Sequence, residues 1–125
     1  MSFYKQRVFG KTKNISNTQL IDLFKTNTLD YIKIILLFGS RASKTNHFRS
    51  DYDFAILTVD DVISPWGNIS KAWNDIGDIL NLPDCDMDIV DLKDADDLVL
   101  NSIQENYFLL KGDNDELQRL FNKNN

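Results

Sequence analysis

The residues best suited to chemistry lie in one stretch, LFGSRASKTNHFRSDYDFAIL, from Leu37 to Leu57. An apolar run ends there at Gly39-Ser40, and Asp51 and Asp53 follow after ten intervening residues, just before the chain turns apolar again. Side chains alternate along a strand, so Asp51 and Asp53 are expected to point the same way, roughly 7 Å apart. Two carboxylates that close repel each other, and a divalent cation between them removes that cost. The pair therefore predicts a metal site at the mouth of a buried strand.

A third carboxylate would complete a two-metal site, which clamps the attacking and leaving oxygens of phosphoryl transfer. Asp88 is the candidate, because it lies in the apolar segment Met87 to Val90. Asp86 would share a face with Asp88, and Asp91 is also near, so both remain alternatives. Mg²⁺ is the expected metal, since it binds a few carboxylates together with water and phosphate oxygens.

Gly39 and Ser40 predict the other half of such a site. A glycine between a strand and a helix lets the backbone approach a ligand closely, and the start of the helix offers N–H groups to phosphate. Ser40 adds a hydroxyl donor, while Arg41 either adds positive charge or pairs with an acidic neighbour. A Gly-Ser turn or an Asp-x-Asp pair alone is usually structural. Their combination in this order favours a functional site.

Four segments predict the strands that hold these residues: YIKIILLF, DYDFAILTV, MDIVDL and YFLL. The second is apolar on both faces in its middle, which indicates a central strand, and the last is expected at an edge. The connection between the first two is short for a parallel crossover. The pattern predicts an α/β (α+β) fold with one small mixed β-sheet flanked by helices.

Helical patterns separate the strands. Ser16 and Gln19 predict a capping box at the start of the first helix. Ser64, with Pro65 in the first turn, predicts the start of another. The remaining predictions are a short helix at RASKTN, a loop at HFRS, a helix over Ala95–Ile103 with Leu98 and Val99 inward, and a last helix containing Leu117, Leu120 and Phe121.

Composition narrows the class of protein. The 125 residues suit a single domain over 1–125, in which the basic segment 1–15 is interpreted as a mobile arm. A net charge of -5 argues against general nucleic-acid binding but leaves a nucleotide ligand open. One cysteine and no long apolar run predict a cytoplasmic chain with no membrane segment. So small a chain buries a modest fraction of its surface, so a partner or an oligomer is expected.

The longer string LFGSRA…SDYDFAI resembles the minimal nucleotidyltransferases, or MNT proteins, of the nucleotidyltransferase superfamily. The resemblance rests on Gly39, Ser40, Asp51 and Asp53, and on Asp88 opening an apolar strand. It implies a mixed sheet, metal ligation by the three aspartates, and phosphate binding by the turn. One departure is that Ser43 and Lys44 stand where the family often has Arg-Gly.

The resemblance also implies transfer of NMP, expected to be AMP from ATP, to a hydroxyl acceptor with Mg²⁺ and release of pyrophosphate. Stand-alone MNT proteins resemble antitoxins paired with a HEPN-type RNase toxin, which at least some of them neutralise by placing AMP on a tyrosine. Two alternatives stay open. In the first, the chain is a non-catalytic module that neutralises its partner by contact, with or without bound nucleotide. In the second, it is a transferase for a small-molecule acceptor.

Overall fold

The computed structural model describes residues 12–43, 51–60 and 64–122. Its four strands are β1 (Ile32–Phe38), β2 (Tyr52–Thr58), β3 (Met87–Asp91) and β4 (Tyr107–Lys111). They form one sheet in the order β3-β2-β1-β4. Strand β1 runs antiparallel to β2 and β4, whereas β2 and β3 are parallel. The predicted mixed sheet is confirmed, with β2 in the middle and β4 at an edge.

Five helices are described: α1 (Asn17–Thr26), α2 (Ser40–Ser43), α3 (Asn68–Leu80), α4 (Asp97–Glu105) and α5 (Asn114–Phe121), with a 3-10 turn at Asp84–Asp86. The capping box of α1 is confirmed. The Ser16 hydroxyl accepts from the Gln19 N–H at 3.1 Å, and the Gln19 side chain accepts from the Ser16 N–H at 2.9 Å. In the part of the chain that the structure describes, no helix has the length and apolar character needed to cross a membrane. The predicted HFRS loop lies outside the described residues.

The predicted helix start at Ser64 and Pro65 is wrong. Helix α3 begins at Asn68, and Gly67 precedes it with a φ of 92° and no side-chain cap. The Ser64 hydroxyl accepts from the Trp66 N–H instead, and the Gly67 N–H donates to the Ser64 carbonyl. Ser-Pro is a turn signal as well as a helix signal, and here a glycine in the left-handed region delays the helix.

The inward position of Leu98 is also wrong, since 80% of this residue is exposed. Helix α4 begins two residues later than predicted, with Asp96 as N-cap accepting from the Val99 N–H. Leu100 and Ile103 are the residues that this helix buries. The acidic run gave no hydrophobic period from which the phase of the helix could be read.

Each face of the sheet has its own core. On one side, Phe54 and Ile56 of β2 pack with residues of α1 and α3. On the other, Ala55 and Leu57 pack with residues of α4 and α5. Consecutive residues of β2 therefore face different helices. We call these sides the α1/α3 face and the α4/α5 face.

Candidate active site

Two of the predicted carboxylates lie side by side at one end of the sheet. Asp53 is opposite Phe38 of β1 and in register with Asp88 of β3. Neighbouring strands are about 5 Å apart, so side chains in register on one face are adjacent. Asp53 alternates with Tyr52 and Phe54 and shares the α4/α5 face with Ala55. The structure thus brings Asp53 and Asp88 together where β1 ends and β2 and β3 begin.

The charges at this point are concentrated. Burial, followed by the nearby carboxylates of Asp88 and Asp51, raises the pKa of Asp53 to about 6. Asp51 and Asp88 are themselves exposed. The half-buried Asp53 therefore lies where a negative charge is disfavoured both by burial and by neighbouring carboxylates.

The Gly39 turn lies directly against the Asp53 carboxylate. Gly39 has a φ of 76°, a conformation that favours glycine. A Cβ built on Gly39 would lie 2.5 Å from Asp53 Oδ2. The carbonyl of Gly39 accepts from the Ala42 and Ser43 N–H groups, each at 3.1 Å, so α2 starts immediately after the turn at Ser40. Any larger residue at position 39 would displace the carboxylate.

Arg41 does not lie with these residues. Its guanidinium carbon is 4.0 Å from the centre of the Tyr52 ring, on the α1/α3 face of the sheet, and the residue is only 7% exposed. Arg41 Nη1 donates to the Tyr52 hydroxyl at 3.2 Å and to Asn14 Oδ1 at 3.3 Å. The Arg41 side chain, which was predicted to touch phosphate, therefore lies on the α1/α3 face. Its role in nucleotide binding stays a prediction, and this geometry does not support it.

Asp86 and Asp91 are separated from the pair. Asp86 lies in the 3-10 turn before β3, is 1% exposed, and is near enough to Tyr52 to raise the pKa of its hydroxyl. It therefore does not share a strand face with Asp88 as predicted. Asp91 ends β3, and its carboxylate accepts from the Lys93 N–H at 3.0 Å. Of the three alternatives, Asp88 is the one placed in register with Asp53.

The donor chemistry of this end of the sheet suits a divalent cation. Among residues 12–43, 51–60 and 64–122, no three histidine, cysteine, aspartate or glutamate side chains are gathered closely enough to hold a metal ion. Mg²⁺ commonly takes only one or two protein carboxylates and completes its shell with water and phosphate oxygens. The adjacent Asp53 and Asp88 carboxylates fit that requirement, and a ligand role for all three aspartates stays a prediction.

Tyr52 is a residue that the sequence reasoning missed. Its hydroxyl donates to the Lys13 carbonyl at 2.7 Å and accepts from the Ile15 N–H at 2.8 Å and from Arg41. A tyrosine between two strand-start aspartates must point to the opposite, buried face, where its hydroxyl needs partners. That signal was available, but the identity of the partners was not, because they come from the segment before α1.

A separate cavity of about 450 Å³ lies between the end of α1 and the end of β4. Its lining includes Phe24, Lys25, Leu109 and Lys111, and none of the candidate residues. A cavity is a good candidate for a reaction site when several polar groups converge in it, and none of the predicted carboxylates reaches this one. The carboxylate end of the sheet remains the candidate.

Comparison with known proteins identifies the family of this chain. Residues 18–116 match the model of the family described as polymerase beta, nucleotidyltransferase. The protein adenylyltransferase MntA of Shewanella oneidensis is 29% identical over 91 residues, which are 73% of this chain and 61% of that relative. The chain therefore spans less than two thirds of the length of this curated relative.

Solved structures share the fold. A crystal structure of a toxin-antitoxin with AMP-PNP has a TM-score of 0.63 at 25% identity, covering 87% of this chain and 83% of the other. A tri-AMPylated Shewanella oneidensis HEPN toxin in complex with its MNT antitoxin has a TM-score of 0.55 at 22% identity, covering 86% and 78%. The second likeness bears on the fold alone. Because the family match covers most of its length, this chain belongs to the polymerase beta nucleotidyltransferase family, as its resemblance to the minimal nucleotidyltransferases predicted.

Proposed function

We propose that the chain transfers AMP from ATP to a hydroxyl of a HEPN-type toxin, in a reaction that needs Mg²⁺, and that it acts as the antitoxin of that pair. The observation that carries the chemistry is the Asp53–Asp88 register beside the positive-φ turn at Gly39. The names of the relatives, a protein adenylyltransferase and a toxin-antitoxin with AMP-PNP, support the substrate and the role. The HEPN class of the acceptor and a cytoplasmic setting rest on the sequence resemblance and composition.

In this proposal, Asp51, Asp53 and Asp88 hold the metal, and the turn at Gly39-Ser40 receives the β- and γ-phosphates. When bound, Mg²⁺ would neutralise charge on the triphosphate and on the transferring phosphoryl group. Burial and then the carboxylates of Asp88 and Asp51 raise the pKa of Asp53, and a site that disfavours negative charge in this way favours a cation beside Asp53. Gly39 keeps the Asp53 carboxylate accessible, because it has no side chain on that side.

The transfer step is a displacement at the α-phosphorus. The acceptor oxygen forms a bond to phosphorus, the bond to the bridging oxygen breaks, and pyrophosphate leaves with that electron pair. The proton of the acceptor hydroxyl passes to a carboxylate, for which exposed Asp88 is the candidate. Half-buried Asp53 is the less accessible member of the pair, so its role is to bind and orient.

Neutralisation by contact alone is the second candidate. The observation that favours it is the sequence after the turn, because Ser43 and Lys44 stand where the family often has a second arginine and a glycine. A chain that binds its toxin and nucleotide without transfer would keep the fold and lose the chemistry.

The experiment uses the purified chain with Mg²⁺ and ATP, together with the HEPN-type protein encoded by the same source cells. Intact mass of the toxin measures AMP addition, and toxin RNase activity measures neutralisation. Asp53→Asn removes one charge from the site, and Asp94→Asn removes one from an exposed loop position as the matched control. Transfer by wild type and Asp94→Asn but not by Asp53→Asn is expected.

Three results would change this conclusion. Transfer by Asp53→Asn at the wild-type rate would remove the carboxylate site from the mechanism. Neutralisation by Asp53→Asn without AMP addition would favour the contact module. Addition of AMP to a small molecule, with the toxin unmodified, would favour the small-molecule acceptor.

A further inference from the structure

We propose that Tyr52 and Arg41 are positioning residues for nucleotidyl transfer. The Tyr52 hydroxyl links the start of β2, where Asp51 and Asp53 flank it, to α2, the helix that follows the phosphate turn. The inference rests on the proposed function. It assigns a role to a polar cluster around the buried Tyr52 and Arg41 on the α1/α3 face, opposite the carboxylates. The cluster consists of Tyr52, Arg41, Asn14 and the backbone of residues 13–15.

The hydrogen bonds of Tyr52 are saturated. A hydroxyl has one donor and two acceptor positions. All three are used, by the Lys13 carbonyl at 2.7 Å, the Ile15 N–H at 2.8 Å and Arg41 Nη1 at 3.2 Å. Tyr52 is 0% exposed, and its ring is nearly parallel to Phe54 with centroids 6.0 Å apart. A side chain held on every side gives its own backbone little freedom, and that backbone joins Asp51 to Asp53.

Arg41 connects the same tyrosine to the turn. It is the residue after Ser40, so its backbone directly follows the proposed phosphate turn, while its guanidinium contacts Tyr52 on the other face. The stacking at 4.0 Å on the Tyr52 ring and the hydrogen bond to its hydroxyl are two contacts with one partner. A planar guanidinium with a fixed fork of donors suits such a double contact. The turn and the start of β2 are therefore joined by this contact on the α1/α3 face.

The segment before α1 completes the cluster. Asn14 accepts from Arg41 at 3.3 Å, and the Lys13 ammonium donates to the Leu80 carbonyl at the end of α3 at 3.1 Å. Residues 13–15 thus cross the end of β2 and are anchored to two other elements. A displacement of about 1 Å at reacting groups lowers a rate about 100-fold, so this bracing bears directly on turnover.

Tyr52→Phe tests the proposal, because it keeps the ring, the stack on Phe54 and the contact with Arg41 while removing the three hydroxyl bonds. Tyr31→Phe is the matched control. Tyr31 is also buried, at 5% exposed, and its hydroxyl makes a bond of 2.7 Å to Asp75, away from the site. The kcat and KM for transfer are measured with Mg²⁺, ATP and the toxin, below the melting temperature of every variant. The rise in melting temperature on adding Mg²⁺ and ATP is measured alongside.

Tyr52→Phe is expected to lower kcat by about 10- to 100-fold and to reduce the stabilisation by Mg²⁺ and ATP. Tyr31→Phe is expected to change neither kcat nor the stabilisation by Mg²⁺ and ATP. Both variants lose hydrogen bonds of a buried tyrosine hydroxyl and are expected to melt at lower temperatures. A folded Tyr52→Phe with the kcat and nucleotide response of Tyr31→Phe would overturn the proposal. If Tyr52→Phe does not fold, Asn14→Ala decides, since it removes an exposed acceptor of Arg41 and is expected to lower kcat less, in the same direction.

The wild-type chain separates this inference from the proposed function. If wild type neither transfers AMP nor responds to Mg²⁺ and ATP, the proposed function is wrong and the positioning role with it. If wild type does both and Tyr52→Phe matches the control, only the positioning role is wrong.

Discussion

The start of β2 places opposite chemistry on its two sides. Asp53 points to the α4/α5 face, where Asp88 and Asp51 add like charges to it. Tyr52, its neighbour in the chain, points to the α1/α3 face, where three hydrogen bonds satisfy its hydroxyl. On one side of the strand, neighbouring carboxylates add to the charge of Asp53, while on the other side hydrogen bonds satisfy the Tyr52 hydroxyl.

The pKa values express the same contrast. Burial raises the pKa of both Asp53 and Tyr52, but the next largest causes act in opposite directions. For Asp53 the neighbouring carboxylates raise the pKa again, to about 6 in total. For Tyr52 the contacts with Ile15 and Arg41 lower the pKa against the larger effect of burial, the charge of Asp86 raises it, and the pKa stays above its usual value. Hydrogen bonds within the protein offset part of the effect on Tyr52, whereas the neighbours of Asp53 add to its effect, and this difference supports the proposal that a cation binds on the Asp53 side.

The strongest test of this contrast exchanges one aspartate on each side. Asp88→Asn is expected to lower the transfer rate by about 1,000-fold or more, because it removes a charge from the reacting centre. Asp86→Asn changes a residue that is 1% exposed beside Tyr52, and is expected to lower the free energy of unfolding by about 1–3 kcal/mol with a smaller effect on rate. Transfer kinetics and urea denaturation measure the two effects.

The opposite result would reverse the assignment of the third carboxylate. If Asp86→Asn abolishes transfer in a folded protein while Asp88→Asn leaves it intact, the buried residue is the ligand. In that case the register of Asp53 with Asp88 has no catalytic meaning.

Gly39 gives the next largest effect. Gly39→Ala combines a strained positive φ with a Cβ placed 2.5 Å from Asp53 Oδ2, and is expected to cost about 2–3 kcal/mol of stability and most of the transfer activity. Gly67→Ala is the matched control, because its φ of 92° is also unfavourable but no atom lies within 4 Å of the added Cβ. It is expected to cost about 1 kcal/mol and to leave the rate unchanged. Equal losses in both variants would mean that backbone strain alone matters at Gly39.

Much of the fold was predictable because its signals are local. The apolar runs around Leu37 and Phe54, the Gly39-Ser40 turn and the capping box at Ser16 each determine structure within a few residues. The mixed sheet followed from the short connection between β1 and β2. Strand alternation also predicts that Asp51 and Asp53 share a face, and Asp51 is near enough to Asp53 to raise its pKa.

What could not be predicted depends on contacts distant in sequence. Arg41 follows the turn, which suggested a phosphate ligand, but its position is decided by Tyr52 and Asn14. Asp86 was expected to share a face with Asp88, but it lies in the 3-10 turn that precedes the strand. Leu98 was misplaced because the phase of α4 is set by packing of Leu100 and Ile103 against the sheet. Sequence periodicity alone contains none of these contacts.

The raised pKa of Asp53 predicts a pH-dependent stability. The folded chain binds this proton more tightly than the unfolded chain, whose value is near 3.8. Ionised Asp53 therefore costs stability above about pH 6, and the cost disappears as the pH falls below the unfolded value. Asp53→Asn is expected to raise the free energy of unfolding by about 1 kcal/mol near pH 8, after allowance for solvent screening, and by much less near pH 4.

Urea denaturation of wild type and Asp53→Asn without added metal measures that difference at both pH values. Asp94→Asn, at an exposed position, is the control and is expected to show no comparable gain. A gain that is the same at both pH values would mean that it comes from packing of the amide and not from removal of a repelled charge.

The smallest effect separates the bracing of the α1/α3 face from ordinary helix stability. Ser16→Ala removes the cap of α1 immediately after the segment held by Tyr52, and is expected to cost about 1 kcal/mol. Asp113→Ala removes the corresponding cap of α5, whose side chain accepts from the Asp115 N–H, at a similar cost. Neither variant is expected to change kcat, because the Tyr52 hydroxyl bonds residues 13 and 15 directly. If Ser16→Ala lowers kcat and Asp113→Ala does not, the hold of Tyr52 on this segment depends on the cap, and the bracing extends through α1.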